Sequence, residues 1–240
     1  FRKGNSRSDT LENIIENAKD MADQGINDIV LVGDNVGDFG TGENGNLKHS
    51  HSFFDLIKEL DKIGDIHRFC FSSIITPMIS DKTLNFIKNS QRFSPYFSIK
   101  MGSGSETMLK KMKHPFSLTP YKDLFLNIKE TISEAYIIVE IIVGFPGETD
   151  ELFNETVQFL SEADVSYITT TIYTDKKGTE ASRMKKESVP LAIRKKRKKV
   201  LVELSKKKLR AFYENQLGIE RKVLFENKRR GNCIYGYTYN

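Results

Sequence analysis

Residues 142–151 read Ile-Val-Gly-Phe-Pro-Gly-Glu-Thr-Asp-Glu, and they carry the densest chemical signal in the chain. An unbroken apolar run ends at Gly144. Pro146 and Gly147 then punctuate a turn, and a helix is expected from Thr149. Where strands alternate with helices, the turns after strand C-termini are where ligands are held. Two glycines there permit close backbone approach to a ligand, or supply only the geometry of a tight turn. Glu148 offers a carboxylate at the rim, while Thr149 equally suits an ordinary helix N-cap. Gly144, Pro146, Gly147 and Glu148 therefore form one candidate cofactor-binding set.

Comparable polar residues follow the other expected strands. Gly33 and Asn35 follow the first, Ser72 and Ser73 end the second, and Ser103, Gly104 and Ser105 follow the third. Each alone has a plain structural reading as a turn, a strand end or a helix cap. Their shared position at successive strand ends points to a ligand site.

The elements that must position these residues alternate along the chain. Leu11, Ile14, Ile15, Ala18, Met21 and Ala22 recur at helical spacing after a capping-box pattern at residues 9–12, with Gly25 as the stop. Residues 29–32 form a short strand, and a long glycine-containing loop runs from Gly33 to His51. A helix carrying Phe53, Phe54, Leu56, Ile57 and Leu60 follows. Strands are expected at 68–72, 96–100, 136–143 and 166–173. Helices are expected at 81–89, 105–113, 120–133 and 149–162. Five strands separated mostly by helices indicate a parallel α/β sheet or barrel. The chain opens on a helix signal and on Phe1 rather than Met, so a further strand is expected upstream.

Charge divides the chain. The net charge is +5, yet residues 183–210 hold thirteen Lys/Arg and two Glu, a local +11. Such asymmetry suggests a polyanionic partner. Residues 192–215 read as one long helix with an apolar stripe at Ile193, Val200, Leu201, Leu204 and Phe212. Its cations Arg194, Lys195, Arg197, Lys206, Lys207, Lys208 and Arg210 are candidates for phosphate contact, or else a solvated helix face. Residues 221–226 and 233–239 read as two strands around a basic turn at 227–232. Tyr235, Tyr237 and Tyr239 alternate on the second, and Tyr237 is a candidate for base stacking, or its face belongs to a β core.

Two cysteines stand far apart: Cys70, expected as a buried apolar residue, and Cys233. Neither belongs to a C-x-x-C pair, and the four histidines form no metal-ligand pattern. No apolar run has the length of a membrane span. Few cysteines and no export signal point to the cytoplasm.

With these residues in order, the chain resembles the methylthiotransferase branch of the radical S-adenosylmethionine enzymes. The matching stretches are R-S-D-T-L-E-N-I-I from Arg7, G-D-N-V-G-D-F-G from Gly33, S-S-I from Ser72 and S-G-S from Ser103. L-K-K-M-K from Leu109, I-V-G-F-P-G-E-T-D-E-L-F from Ile142 and R-A-F-Y-E-N-Q-L-G from Arg210 complete the set. The loop from Gly33 looks closest to enzymes that methylthiolate threonylcarbamoyladenosine beside the tRNA anticodon. The resemblance implies a partial (β/α)6 barrel lacking its first strand over residues 1–190, a basic linking helix over 191–218, and the start of an all-β TRAM RNA-binding module over 219–240. It implies S-adenosylmethionine and 4Fe–4S clusters as cofactors, Glu140 as a further cofactor-binding position, and tRNA as partner of a monomeric protein.

Several positions depart from the resembled pattern. The three-cysteine cluster motif is absent from this chain, and cluster ligation needs thiolates. Ile75 stands where Glu is usual, Ser98-Ile99-Lys100-Met101-Gly102 replaces His-Ile-Pro-Leu-Gln, and Glu140 replaces Asp. A His common on the last strand is replaced near Thr169 or Thr170. The alternatives are a non-catalytic remnant that binds RNA, or methylthiolation of a ribosomal protein.

Overall fold

A computed structural model describes residues 8–33, 35–40, 50–72 and 79–240. Helix α1 (Leu11–Asp23) starts where Thr10 Oγ1 accepts from Asn13 N, so Thr10 rather than Asp9 is the N-cap. Gly25 ends it with φ +79°, the left-handed geometry that favours glycine. There follow β1 (Asp28–Leu31), α2 (Phe53–Leu60), β2 (Arg68–Phe71), α3 (Asp81–Asn89) and β3 (Tyr96–Gly102). The chain continues through α4 (Glu106–Lys111), α5 (Leu118–Thr131), β4 (Tyr136–Val143), α6 (Asp150–Glu162) and β5 (Tyr167–Ile172). The long helix α7 (Leu191–Glu214) precedes a hairpin of β6 (Val223–Arg230) and β7 (Cys233–Thr238). Ser52, Ser80, Ser105 and Thr149 each accept a backbone N–H at a helix start, which explains why those helices begin where they do.

The first five strands run parallel and in sequence order within each sheet. β1 pairs with β2, and β3, β4 and β5 form a second ladder. Only one parallel bridge, Phe69 to Phe93, joins the two sheets among the described residues. The rings of Phe69 and Phe71 both stack on Phe93 there, at 5.1 and 5.5 Å between centroids. On β4 burial alternates strictly: Ile137, Val139, Ile141 and Val143 are buried against the helices. Tyr136, Ile138, Glu140 and Ile142 lie on the opposite, open face, which no described helix fully covers.

α7 does not pack through the stripe expected from the sequence. Its buried positions are Arg197, Leu201 and Ser205, spaced by four, while Ile193 and Val200 stay exposed. Ser205 is small enough to let the helix reach the outer edge of β5, where its Oγ accepts from Ile168 N at 2.9 Å. α7 thus satisfies an edge donor that would otherwise lie open. The hairpin turn is also tighter than expected. β6 extends through Arg230, leaving only Gly231 (φ +63°) and Asn232 to reverse the chain.

Candidate functional site

All five strands of the parallel set end at one edge, since their neighbours pair in parallel. Gly33, Ser72, Gly102, Gly144 and Tyr173 follow or close those ends and share that rim. Ser73 and Ile75 lie outside the described residues. Gly33 is exposed, and Asn35 opens a 3-10 turn at Val36–Asp38. Ser72 N donates to Leu31 O at 2.9 Å, and its hydroxyl is buried without a protein partner among the described residues.

The glycine-containing turn after β4 is occupied by the chain itself. Gly144 has φ +75°, and a Cβ there would collide with the aliphatic part of Arg194. Gly147 has φ +83°, and a Cβ would strike the Lys111–Glu187 ion pair. Gly147 N donates to Glu187 O at 2.8 Å. The two glycines therefore open space for residues of the chain's own other segments. This corrects the expectation of close ligand approach at Gly147 and its neighbour Pro146.

Glu148 is corrected in the same way. It is 5% exposed and turns inward, accepting from Gly144 N at 2.7 Å and from Arg197 at 2.7 Å. Burial pushes its carboxyl above the usual range, while the Gly144 N–H and the Arg197 guanidinium pull it back. Arg197 also donates to Glu148 O at 3.0 Å and to Asp150 at 2.7 Å. The run of four candidates thus forms a lock between the β4–α6 turn and α7.

Ser103 and Gly104 are likewise internal. Ser103 Oγ lies 3.0 Å from Thr156 Oγ1, and Gly104 N donates to that same oxygen at 3.2 Å. A Cβ on Gly104 would come within 2.9 Å of Thr156 Cα, so glycine permits the close seating of α6. Ser105 caps α4 and donates to Glu155 at 2.5 Å. These residues hold elements together and do not face the open side.

Glu140 does face it. The parallel register places Lys100, Glu140 and Thr169 side by side across β3, β4 and β5. One step toward the strand N-termini, Ser98 Oγ donates to Glu140 Oε1 at 3.2 Å. Below them Tyr96 and Tyr136 stack at 5.9 Å. Immediately beyond Lys100 the ladder slips by one residue, so that Gly102 pairs with Ile141. The Tyr121 hydroxyl, from α5, donates to Lys100 O at 3.1 Å and lies 3.2 Å from His114 Nε2. Burial holds the His114 imidazole below its ordinary pKa. Sequence reasoning noted Lys100 only as a departure from a motif. Its register with Glu140 was implicit in the two flanking strands, but pairing register is a tertiary property.

The basic helix is corrected position by position. Arg197 is buried and cannot meet a phosphate. Arg194 donates to Val189 O at 2.6 Å, Tyr173 O at 2.8 Å and Ser188 Oγ at 3.0 Å, tying residues 174–190 to the rim. Lys208 is half-buried and donates to Ser161 O and Ala163 O at the end of α6, at 3.0 and 2.6 Å. Lys206 pairs with Glu203 and Arg210 with Glu214, both at the surface. Lys195 and Lys207 are exposed.

Tyr237 is half-exposed, but the Arg68 guanidinium lies 5.0 Å from its ring centroid, and its hydroxyl donates to Glu226 at 2.8 Å. One ring face is therefore taken. The hairpin's end docks where the parallel strands begin. Tyr239 hydroxyl donates to Glu134 at 2.6 Å, Asn240 donates to Glu134 O at 3.1 Å, and Ser94 bonds to Tyr239 O. That is the edge opposite the rim.

The chain has two cysteines, Cys70 buried and Cys233 exposed on β7. Burial pushes the Cys70 thiol up, away from thiolate character. Two such groups do not supply the three thiolates of a cluster, and no group of three potential metal ligands occurs among the described residues. This chain's own residues therefore do not fit an iron–sulfur cluster.

The family model described as the radical SAM superfamily matches residues 1–160. The threonylcarbamoyladenosine tRNA methylthiotransferase of Aquifex aeolicus is 31% identical over 230 residues, covering 96% of this chain and 54% of that protein. The tRNA-2-methylthio-N(6)-dimethylallyladenosine synthase of Thermotoga petrophila is 29% identical over 236 residues, covering 98% of this chain and 52% of that protein. The chain thus spans about half the length of the curated relatives it matches. Among solved structures, coproporphyrinogen III oxidase from Escherichia coli, a radical SAM enzyme, aligns with TM-score 0.56 at 12% identity, over 84% of this chain and 47% of its own. The radical S-adenosylmethionine methyltransferase from Kitasatospora setae, solved with cobalamin and a 4Fe–4S cluster, aligns with TM-score 0.53 at 13% identity, over 68% and 31%. Enzymes of this superfamily use S-adenosylmethionine and 4Fe–4S clusters, and the chain belongs to the radical SAM superfamily.

Proposed function

We propose that this chain is the catalytic-core part of a tRNA methylthiotransferase acting on threonylcarbamoyladenosine beside the anticodon. Similarity to tRNA methylthiotransferases over nearly its whole length carries the reading. The relatives include one whose name specifies threonylcarbamoyladenosine and others whose names specify dimethylallyladenosine. The loop from Gly33 and the charged row on the open face favour the former. The polar open face supplies Ser98, Lys100, Glu140 and Thr169 to orient a substrate there. S-adenosylmethionine would supply the reactive radical when bound with its cluster, whose thiolates this chain does not carry.

The same proposal includes a partial barrel over residues 1–190, a linking helix over 191–218 and the start of a TRAM-like module over 219–240. It also includes a monomeric protein working in the cytoplasm. No described helix is long and apolar enough to cross a membrane. tRNA would be held through exposed cations such as Lys195, Lys206 and Lys207.

Deleting the gene from its source organism and analysing tRNA nucleosides by mass spectrometry tests the reading. Loss of the 2-methylthio form, with threonylcarbamoyladenosine accumulating, is expected. An unchanged nucleoside profile overturns the reading. Loss of a methylthiolated dimethylallyladenosine instead overturns only the substrate assignment.

A further inference from the structure

The row Lys100–Glu140–Thr169 sets a cation, an anion and a hydroxyl side by side, one step inside the rim. Its surroundings hold it in place. Ser98 Oγ bonds to Glu140, and Tyr121 supports the Lys100 carbonyl at the point where the ladder slips. Register slips of this kind re-aim side chains and recur beside binding sites. Thr169 is exposed, while Lys100 and Glu140 are half-buried, so a ligand on the open face reaches all three.

We infer that Lys100 and Glu140 are specificity-determining residues that recognise an amino-acid carboxylate on the substituted adenine. The Lys100 ammonium takes the carboxylate. Glu140 accepts from an N–H or O–H of the same substituent, and Thr169 adds a donor. This rests on the proposed function and deepens it. A threonylcarbamoyl group presents a carboxylate, a hydroxyl and urea N–H groups, which match the row. A dimethylallyl group presents no polar atom. Seating it would strip water from an ammonium and a carboxylate and return nothing. Sites built to bond polar groups reject analogues that lack them far more strongly than apolar pockets reject extra atoms.

The test measures binding of anticodon stem-loop RNAs to the full 240-residue chain. The probes carry threonylcarbamoyladenosine, dimethylallyladenosine or plain adenosine at the same position. Wild type should prefer the threonylcarbamoyl loop. Lys100→Met should lose about tenfold to a hundredfold of affinity for that loop alone, and Lys100→Arg should recover most of it. Glu140→Gln should weaken it less. Far-UV circular dichroism and the thermal midpoint show whether each variant folds, and the Arg variant keeps the test valid if Met does not.

S-adenosylmethionine carries the same amino-acid carboxylate, so S-adenosylhomocysteine is titrated against each variant. If Lys100→Met weakens S-adenosylhomocysteine and leaves the loop preference intact, the inference is overturned. Wild type that binds all three loops equally also overturns it, while leaving tRNA as partner. Wild type that binds none of them overturns both this inference and the RNA reading.

Discussion

Arg197 donates to Glu148 at 2.7 Å with both side chains almost wholly enclosed, 6% and 2% exposed. The pair joins the turn after β4 to the helix that follows the strand set. Removing one partner leaves the other charged, buried and unmatched, which costs about 3–5 kcal/mol. Arg197→Met should therefore lower stability by that order in urea melts. The double variant Arg197→Met with Glu148→Leu should recover much of the loss. A loss under about 1 kcal/mol for the single variant would mean that water reaches the pair.

Gly104 sits against the backbone of α6, where an added Cβ would lie only 2.9 Å from Thr156 Cα. Backbone cannot swing aside as a flexible side chain can. Gly104→Ala should cost about 1–3 kcal/mol through overpacking. Gly25→Ala meets open space and bears only the positive-φ penalty of about 1–2 kcal/mol. Comparing the two melts separates crowding from backbone strain.

The tail clamp should respond to pH at both ends. The Tyr239 hydroxyl holds the Glu134 carboxyl below its ordinary 4.5, so its contribution is full above that value and is lost as pH falls through the lowered one. Burial, with Glu134 beside it, pushes the Tyr239 phenol up to about 12 from 10.0. Its contribution is full below 10.0 and is lost as pH rises through about 12. Hydrogen exchange at the hairpin end should therefore accelerate in acid and again in strong base. Tyr239→Phe should remove most of both responses. An acid response that survives in Tyr239→Phe would show that another group controls docking.

Salt dependence should single out the exposed cations of α7. Replacing Lys195, Lys206 and Lys207 with Ala should weaken all tRNAs alike, because phosphate contacts carry no sequence information. The slope of log affinity against log salt should fall by about 0.7–0.9 per lost contact. Lys208 is left out because it caps α6, and its loss would act through stability. An unchanged slope would make this face a solvated surface only.

Reconstitution with iron and sulfide under anaerobic conditions should leave this chain without a stoichiometric cluster. Two cysteines, one of them buried, cannot supply three thiolates. A four-iron absorbance, or 5′-deoxyadenosine formed from S-adenosylmethionine by this chain alone, would refute that.

The sequence by itself determined the elements wherever local patterns were strong. The helix Asp81–Asn89 and the strand Tyr136–Val143 match their expected bounds, because periodicity and caps are local properties. The parallel order and the common rim also followed from alternation, since parallel neighbours need a crossover between them. What the residues at that rim do was decided only in three dimensions. Gly144, Gly147, Glu148 and Arg197 read as ligand or RNA contacts until folding brought distant segments together and spent their polar groups on each other. Lys100 gained meaning only when register placed it beside Glu140 and Thr169. Side-chain type shows what chemistry a residue can do, but burial and pairing choose its partner, and both depend on distant parts of the chain.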